Sequence, residues 1–259
     1  MSLLSELDVA DDQESPVDDA MEFCHLEQHL LPEQLPLPFD APADVRGILD
    51  IGGMNVFVKG SRPPRIRWVG AHEIGHYAIP EHNDLLRFCS TFDLSAEARR
   101  HLEVEANVFA AEFLFQGRRF VEQCMSQPFS IDMLRTMSTS FGVSYEAGFR
   151  RFVEDNPKPV ALLVSVVLPA EPESRDGRVI LDFGARRTRL RYGAYSRQFM
   201  QRYGFAPSGQ IFDTEHPVSH ATASGESTGA IRFRDEVLSV HSFYNQYDVL
   251  SIVRPGAKR

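Results

Sequence analysis

The segment His72-Glu73-Ile74-Gly75-His76 most strongly constrains what this chain can fold into. Prolines at positions 63–64 and 80 bracket it, so the sequence predicts a short helix over residues 67–78. Two histidines four residues apart share one face of a helix, where both rings can reach one metal ion. Glu73 lies between them as a candidate proton acceptor for hydrolysis. The alternative is a chance match, with two solvated histidines on a surface helix.

A catalytic metal of this kind needs a third protein ligand, and the helix predicted over Ser95–Gln116 offers one. Ser95 suits the N-cap, and good helix formers follow it. Glu103 falls on the apolar stripe, where an unpaired buried carboxylate is costly, so a ligand role is favoured. Asn107, one turn later, is placed to hold a ligand by a hydrogen bond. Glu105 is the alternative ligand, and an ion pair with an arginine such as Arg99 is the alternative role of Glu103.

These segments resemble the ImmA/IrrE metallopeptidase family. The resemblance covers residues 67–115 and rests on HEIGHY followed by EVEANVFAAEFLF. It implies that Zn²⁺, or else Mn²⁺ or Fe²⁺, is bound by three side chains and that a fourth is catalytic: His72, His76 and Glu103 as ligands, and Glu73 as the catalytic residue. The family usually has Leu-Leu-Met-Pro where this chain has residues 114–117, a departure that leaves the ligands unchanged.

Three functions follow as hypotheses. The resemblance implies a metal-dependent endopeptidase that cleaves a helix–turn–helix transcriptional repressor. The long C-terminal extension resembles the branch of the family that switches on the response to radiation and DNA damage. The second hypothesis is a DNA-binding regulator with a non-catalytic peptidase-like core. The third, compatible with the first, is a sensor whose C-terminal domain controls the site through a small-molecule or anionic signal.

Composition and charge divide the chain into four predicted regions. Residues 1–20 hold seven acidic residues and no basic one, which predicts a disordered tail. Residues 21–126 form the predicted metallopeptidase domain, with strands over residues 55–59 and 85–89. Residues 127–157 are a small helix–turn–helix-like segment with a linker, and residues 158–259 are predicted to form an α+β domain. The fold class expected for the whole chain is therefore α+β.

The helix–turn–helix-like pattern lies within residues 130–153, with Gly142 at the turn. The second helix would open with Tyr145-Glu146-Ala147-Gly148, which contains no basic residue. Because bases are normally read from the N-terminal end of a recognition helix, direct DNA binding is disfavoured. The net charge of −9 also lacks the basic footprint of a nucleic-acid-binding protein. Packing or substrate docking is the favoured role.

Strand-like patterns dominate the region after residue 157, interrupted by a helix predicted over residues 194–203. They predict an antiparallel sheet, and the family resemblance implies a GAF-like sensor fold. Arg187, Arg189 and Arg191 alternate, so all three would point to one side of a strand. They are candidates for docking an anion or an acidic substrate segment, with an ordinary solvated basic face as the alternative.

The three cysteines are widely spaced, which fits a reducing compartment better than a disulfide scaffold. The sequence contains no apolar run of membrane-spanning length and no signal segment at its N-terminus. We therefore expect a cytoplasmic protein that acts on a protein substrate away from membranes.

Overall fold

The computed structural model describes residues 16–38, 45–82, 95–167, 173–175, 178–180, 188–204, 226–233 and 236–256. The chain divides into two compact units, Met1–Gln123 with Thr136–Ser144, and Cys124–Arg135 with Tyr145–Arg259. Both units combine helices and strands, so the predicted α+β class is confirmed. Among the described residues, no helix has both the length and the apolar character needed to cross a bilayer.

The described elements between residues 17 and 125 are α1 (Val17–Phe23), β1 (Glu27–Leu31), β2 (Gly47–Asp50), β3 (Asn55–Lys59), α2 (Pro63–Ala78), α3 (Ala96–Leu114) and α4 (Arg119–Met125). The three strands form a small sheet in the first unit. The strand order is β1-β3-β2, with β1 parallel and β2 antiparallel to β3. β3 coincides with the predicted strand over residues 55–59, whereas the strand predicted over residues 85–89 lies outside the described residues.

The end of the N-terminal acidic segment is helical, although the sequence predicts disorder up to residue 20. Residues 17–20 form the start of α1. Val17 and Ala20 are buried there together with Met21, because these three apolar residues share one face of the helix. The two acids in the first turn also stabilise the helix N-terminus.

Local chemistry explains where the two helices that carry the motif residues begin. α2 begins at Pro63, because proline fits the first helical position, so it starts earlier than the predicted residue 67. α3 begins after Ser95, whose Oγ accepts a hydrogen bond from the backbone N–H of Ala98 at 3.1 Å. The helices pack closely because Gly75 has no side chain: a Cβ there would lie 3.3 Å from the backbone of Ala106.

The helical pair predicted within residues 130–153 is present as α5 (Ile131–Ser140) and α6 (Tyr145–Glu154). Gly142 lies in the turn between them with φ 65°. Within the second unit, α6 packs against the sheet strands that follow it. The side chains of Phe149, Phe152 and Val153 on this helix are buried.

The described elements of the second unit after residue 160 are β4 (Ala161–Val167), β5 (Glu173–Arg175), β6 (Arg178–Ile180), β7 (Thr188–Tyr195), α7 (Arg197–Tyr203), β8 (Glu226–Phe233), β9 (Glu236–Tyr244) and β10 (Asp248–Pro255). Five of the strands form an antiparallel sheet of order β7-β4-β10-β9-β8, and the strand patterns predict such a sheet. A separate hairpin pairs β5 with β6. The predicted helix over residues 194–203 begins later, because residues 194 and 195 belong to β7.

Candidate metal centre

Three side chains from α2 and α3 converge on one point. The Nε2 atoms of His72 and His76 lie 3.1 Å apart. A carboxylate oxygen of Glu103 lies 3.2 Å from Nε2 of His72, and its other oxygen lies 3.6 Å from Nε2 of His76. The structure thus brings together the three side chains that the sequence suggested as metal ligands.

The spacing of these atoms fits a divalent metal. Ligand atoms at about 2.0–2.2 Å from a tetrahedral zinc ion are separated from one another by roughly 3.3 Å. The three separations of 3.1, 3.2 and 3.6 Å lie close to that value. Two imidazoles and one carboxylate are also the donor set of catalytic zinc sites that keep one coordination position open. The cluster is therefore a candidate metal site, consistent with a zinc peptidase.

Each histidine is held from behind through its other ring nitrogen. Nδ1 of His72 lies 3.2 Å from Oδ1 of Asn107, the contact expected from their positions on facing helices. Nδ1 of His76 lies 3.1 Å from Nδ1 of His82. Because Oδ1 of Asn107 can only accept, Nδ1 of His72 donates and its Nε2 lone pair is available to a metal. In the contact between His76 and His82 either ring nitrogen can be the donor.

Glu103 is more exposed than predicted. Its side chain is 59% exposed and not part of a buried stripe, because α3 turns this position toward an open cleft. Hydrogen bonds from His72 and His76 lower its pKa well below the usual range, against the opposing effect of burial. For His72, burial lowers the pKa, but the hydrogen bond and charge of Glu103 and the charge of Glu73 outweigh it and raise the pKa overall. Glu105, the alternative ligand, contacts His82 instead at 2.8 Å.

Glu73 is buried beside the histidines, with 7% of its surface exposed. Burial raises its pKa to about 7; the charge of His72 opposes this shift and the charge of Glu103 adds to it. Gly47 at the start of β2 makes room for the carboxylate, since a Cβ at this position would lie 2.2 Å from Oε1 of Glu73. The carboxylate therefore occupies space that any larger residue at position 47 would take.

The candidate ligands open into a cleft of about 780 Å³ within the first unit. Strand β2 forms one wall, and helices α2 and α3 form the other. Within the described residues β2 is an edge strand, because it pairs only with β3. Besides Glu73, Asn107 and the three candidate ligands, the lining comprises Val45, Arg46, Gly47, Ile48, Leu49, Arg65, Trp68, Val69, Arg99 and Leu102.

The arginines proposed as a docking face divide among different environments. Arg191 contacts Glu146 of α6, and its other amino group lies 3.1 Å from Asp248. The charge of Arg191 is therefore paired within the second unit. The alternation of arginines in the sequence does not indicate this pairing. Arg189 is exposed on β7, and Arg187 lies outside the described residues.

Several residues that contact the candidate ligands or line the cleft are not predicted from the sequence. Gly47 is 25 residues from the motif, and nothing local marks a glycine that must admit a carboxylate. His82 follows the motif by only six residues, so a third histidine beyond Pro80 was a usable signal. The three arginines of the cleft come from three separate segments, and only the fold places them along one opening.

Comparison with known proteins supports the family suggested by the motifs. Residues 36–152 match the family model described as IrrE N-terminal-like domain, Peptidase_M78. This match supports the ImmA/IrrE family and a metallopeptidase-type fold for the part of the chain that contains the metal centre. No curated protein matches the chain with significant similarity.

A solved structure titled Mycobacterium tuberculosis transcriptional regulator has a similar fold. The TM-score is 0.56 at 13% sequence identity, over 98% of this chain and 73% of that chain. At this level of identity the likeness concerns the fold alone.

Proposed function

We propose that this protein is a metal-dependent endopeptidase, with His72, His76 and Glu103 as the metal ligands and Glu73 as the catalytic residue. The observation that carries the proposal is the convergence of both Nε2 atoms and the Glu103 carboxylate at 3.1–3.6 Å, beside a buried glutamate and an open cleft. A bound Zn²⁺, or Mn²⁺ or Fe²⁺ in its place, supplies Lewis acidity that activates water and polarises a peptide carbonyl.

Glu73 performs the proton transfers of this reaction. Its carboxylate accepts a proton from the attacking water and then delivers that proton to the leaving amine. A carboxylate whose pKa lies near the working pH can do both, and burial shifts the pKa of Glu73 upward in the metal-free protein. Gly47 allows the carboxylate to occupy this position, since a Cβ there would overlap it.

The cleft suits an extended peptide. Among the described residues, β2 pairs on one side only, with β3. The backbone groups of its other edge can pair with a substrate strand, which would present a straight scissile bond to Glu73. Arg46, Arg65 and Arg99 line the cleft, and Arg65 also lies 4.0 Å from the carboxylate of Glu33. They favour a substrate with acidic side chains near the cleaved bond, because opposite charge steers encounter and fixes register.

We further propose that the substrate is a helix–turn–helix transcriptional repressor, as the resemblance to the ImmA/IrrE family implies, and that this protein belongs among the IrrE-like members of that family. The match of residues 36–152 to the IrrE N-terminal-like domain supports the family, on which this proposal builds. Cleavage of such a repressor in the cytoplasm would release the genes of a stress response to radiation or DNA damage.

A second candidate function is a DNA-binding transcriptional regulator with a non-catalytic core. The regulator named among similar folds favours it. Against it, the N-terminal end of α6, the would-be recognition helix, is occupied: Glu146 accepts hydrogen bonds from Arg191 and from Tyr192. Tight binding of purified protein to promoter DNA at moderate salt would support the second candidate; no binding under these conditions would support the peptidase.

The C-terminal sheet is proposed to be a GAF-like sensor or docking domain. Its antiparallel order β7-β4-β10-β9-β8 and covering helices support that assignment. Arg189 on its exposed face would attract an acidic substrate segment. In the full chain, Arg189→Glu should slow cleavage at low salt and converge on the wild-type rate at high salt; an unchanged rate at both would remove this docking role.

The peptidase proposal is tested with the full chain and purified candidate repressors. Intact-mass analysis of a mixture with zinc-loaded protein should yield two fragments whose masses add to that of the repressor plus one water. The same mixture with a chelator should yield none. Absence of fragments for every repressor and for an acidic peptide library would contradict the proposal.

A further inference from the structure

His82 lies behind the metal centre, on the side of His76 away from the cleft. Its side chain is fully buried, and it is not among the residues that line the cleft. One ring nitrogen, Nδ1, is 3.1 Å from Nδ1 of His76, and the other, Nε2, is 2.8 Å from a carboxylate oxygen of Glu105. The three side chains form a continuous hydrogen-bonded chain that ends at the protein surface.

The chemistry of these groups allows one arrangement of protons when Nε2 of His76 faces a metal. Nδ1 of His76 then carries its N–H and donates to Nδ1 of His82. His82 therefore carries its own N–H on Nε2 and donates to Glu105, which as a carboxylate only accepts. Each step fixes the next, so the orientation of the His76 ring depends on a surface carboxylate through a buried imidazole.

We propose that His82 and Glu105 are positioning residues that orient His76 and strengthen its bond to the metal. The inference rests on the proposed metal site. It also makes the two histidine ligands unequal: His72 is held by the neutral amide of Asn107, and His76 by a carboxylate acting through His82. A negative charge at the end of the chain raises the electron density on His76, as carboxylate partners of metal-bound histidines generally do.

A purely structural role for His82 makes a different prediction. A buried imidazole needs hydrogen-bond partners to offset its desolvation, and His76 and Glu105 would serve that need even without a metal. In that case loss of Glu105 would change the stability of the fold and leave metal affinity unaffected. Metal affinity and stability of the metal-free protein therefore separate the two roles.

The decisive variant is Glu105→Ala in the full chain, with Glu97→Ala as its matched control. Both glutamates are exposed on α3, and alanine keeps the helix, so both variants should fold. Zinc affinity is measured by competition with a chelator, and melting temperature is measured on the metal-free protein. We expect the Kd of Glu105→Ala for zinc to rise by roughly tenfold to a hundredfold, and that of Glu97→Ala to stay at the wild-type value.

His82→Phe gives a second measurement, because it keeps the ring volume and removes both hydrogen bonds. Its zinc Kd should rise at least as much as that of Glu105→Ala, and the visible absorption bands of bound Co²⁺ should shift in both variants. Wild-type zinc affinity in Glu105→Ala overturns the inference whether or not His82→Phe folds. Failure of the wild-type chain to bind zinc at all would instead contradict the proposed function on which the inference rests.

Discussion

Two clusters of polar and charged side chains, one in each unit, differ in what their atoms can bind. In the first unit, His72, His76 and Glu103 direct their donor atoms toward a shared point beside an open cleft. In the second unit, Arg191 lies between Glu146 and Asp248, so opposite charges neutralise one another within the fold. The first cluster groups three lone-pair donors at a spacing that could hold a metal ion, which makes it a candidate metal site. In the second cluster, the charge of Arg191 is already paired within the unit.

The comparison teaches that charge pattern in a sequence does not distinguish a binding site from an internal ion pair. Alternating arginines marked Arg191 as a docking residue, yet its partners come from α6 and from β10. HExxH spacing is more informative, because it specifies relative geometry as well as residue type. We call His72, His76 and Glu103 the open cluster, and Arg191 with Glu146 and Asp248 the closed cluster.

The largest effect is expected from removing a ligand of the open cluster. Glu103→Ala should weaken zinc binding by more than about a hundredfold, since a three-ligand site is reduced to two. The measurement is chelator competition on the full chain. Glu105→Ala should have a clearly smaller effect; an inverted order, with Glu105→Ala the weaker binder, would mean that Glu105 is the true ligand.

A substitution on the opposite wall of the cleft should separate catalysis from metal binding. Gly47→Ala introduces a Cβ that would lie 2.2 Å from Oε1 of Glu73 and 2.6 Å from Cγ1 of Val69, so both side chains must move away from their present positions. We expect peptide cleavage to fall by about a hundredfold, the typical contribution of a placed proton acceptor, with zinc affinity unchanged. Gly52→Ala is the matched control, because its Cβ would meet no atom closer than 3.6 Å. Normal activity in Gly47→Ala would show that Glu73 tolerates displacement.

Truncation separates charge from packing in the unit that holds the open cluster. Deleting residues 1–15 should leave the melting temperature unchanged, because the sequence there is acidic and poor in aromatic residues. Deleting residues 1–20 should lower the free energy of unfolding by about 2 kcal/mol, because Val17 and Ala20 are buried in α1. Denaturant titration measures both, and equal stability of the two truncated proteins would contradict the packing assigned to α1.

The smallest effect is expected from the closed cluster. Arg191→Ala should destabilise the protein by about 1 kcal/mol, because the side chain is partly exposed and its ion pairs are partly screened. Zinc affinity and cleavage should match wild type. A double-mutant cycle with Glu146→Ala checks the pairing, and a strong loss of activity with unchanged stability would place Arg191 in substrate docking after all.

The predictable parts of this protein are those in which local sequence determines geometry. The motif helix, the shared face of its two histidines and the Ser95 cap follow from local spacing and helix chemistry. The approach of Glu103 to the two histidines is a contact between two helices, for which the sequence offered only the cost of burying a carboxylate and the family resemblance. The exposure of Glu103 was predicted wrongly, because periodicity identifies a face and cannot show that a cleft opens there. The contacts of Gly47 and His82 depend on how β2 and the turn after α2 lie against the motif helix, and the sequence of neither segment encodes that approach.

The most direct test of the central claim compares wild type with Glu73→Gln in two parallel measurements. Metal content after zinc loading and dialysis should be one equivalent for both proteins, because the ligands are intact. Cleavage of the repressor or of an acidic peptide, followed by intact mass, should occur with wild type and be undetectable with Glu73→Gln, since only the proton acceptor is lost. Cleavage by Glu73→Gln at the wild-type rate, or zinc bound by neither protein, would contradict the account.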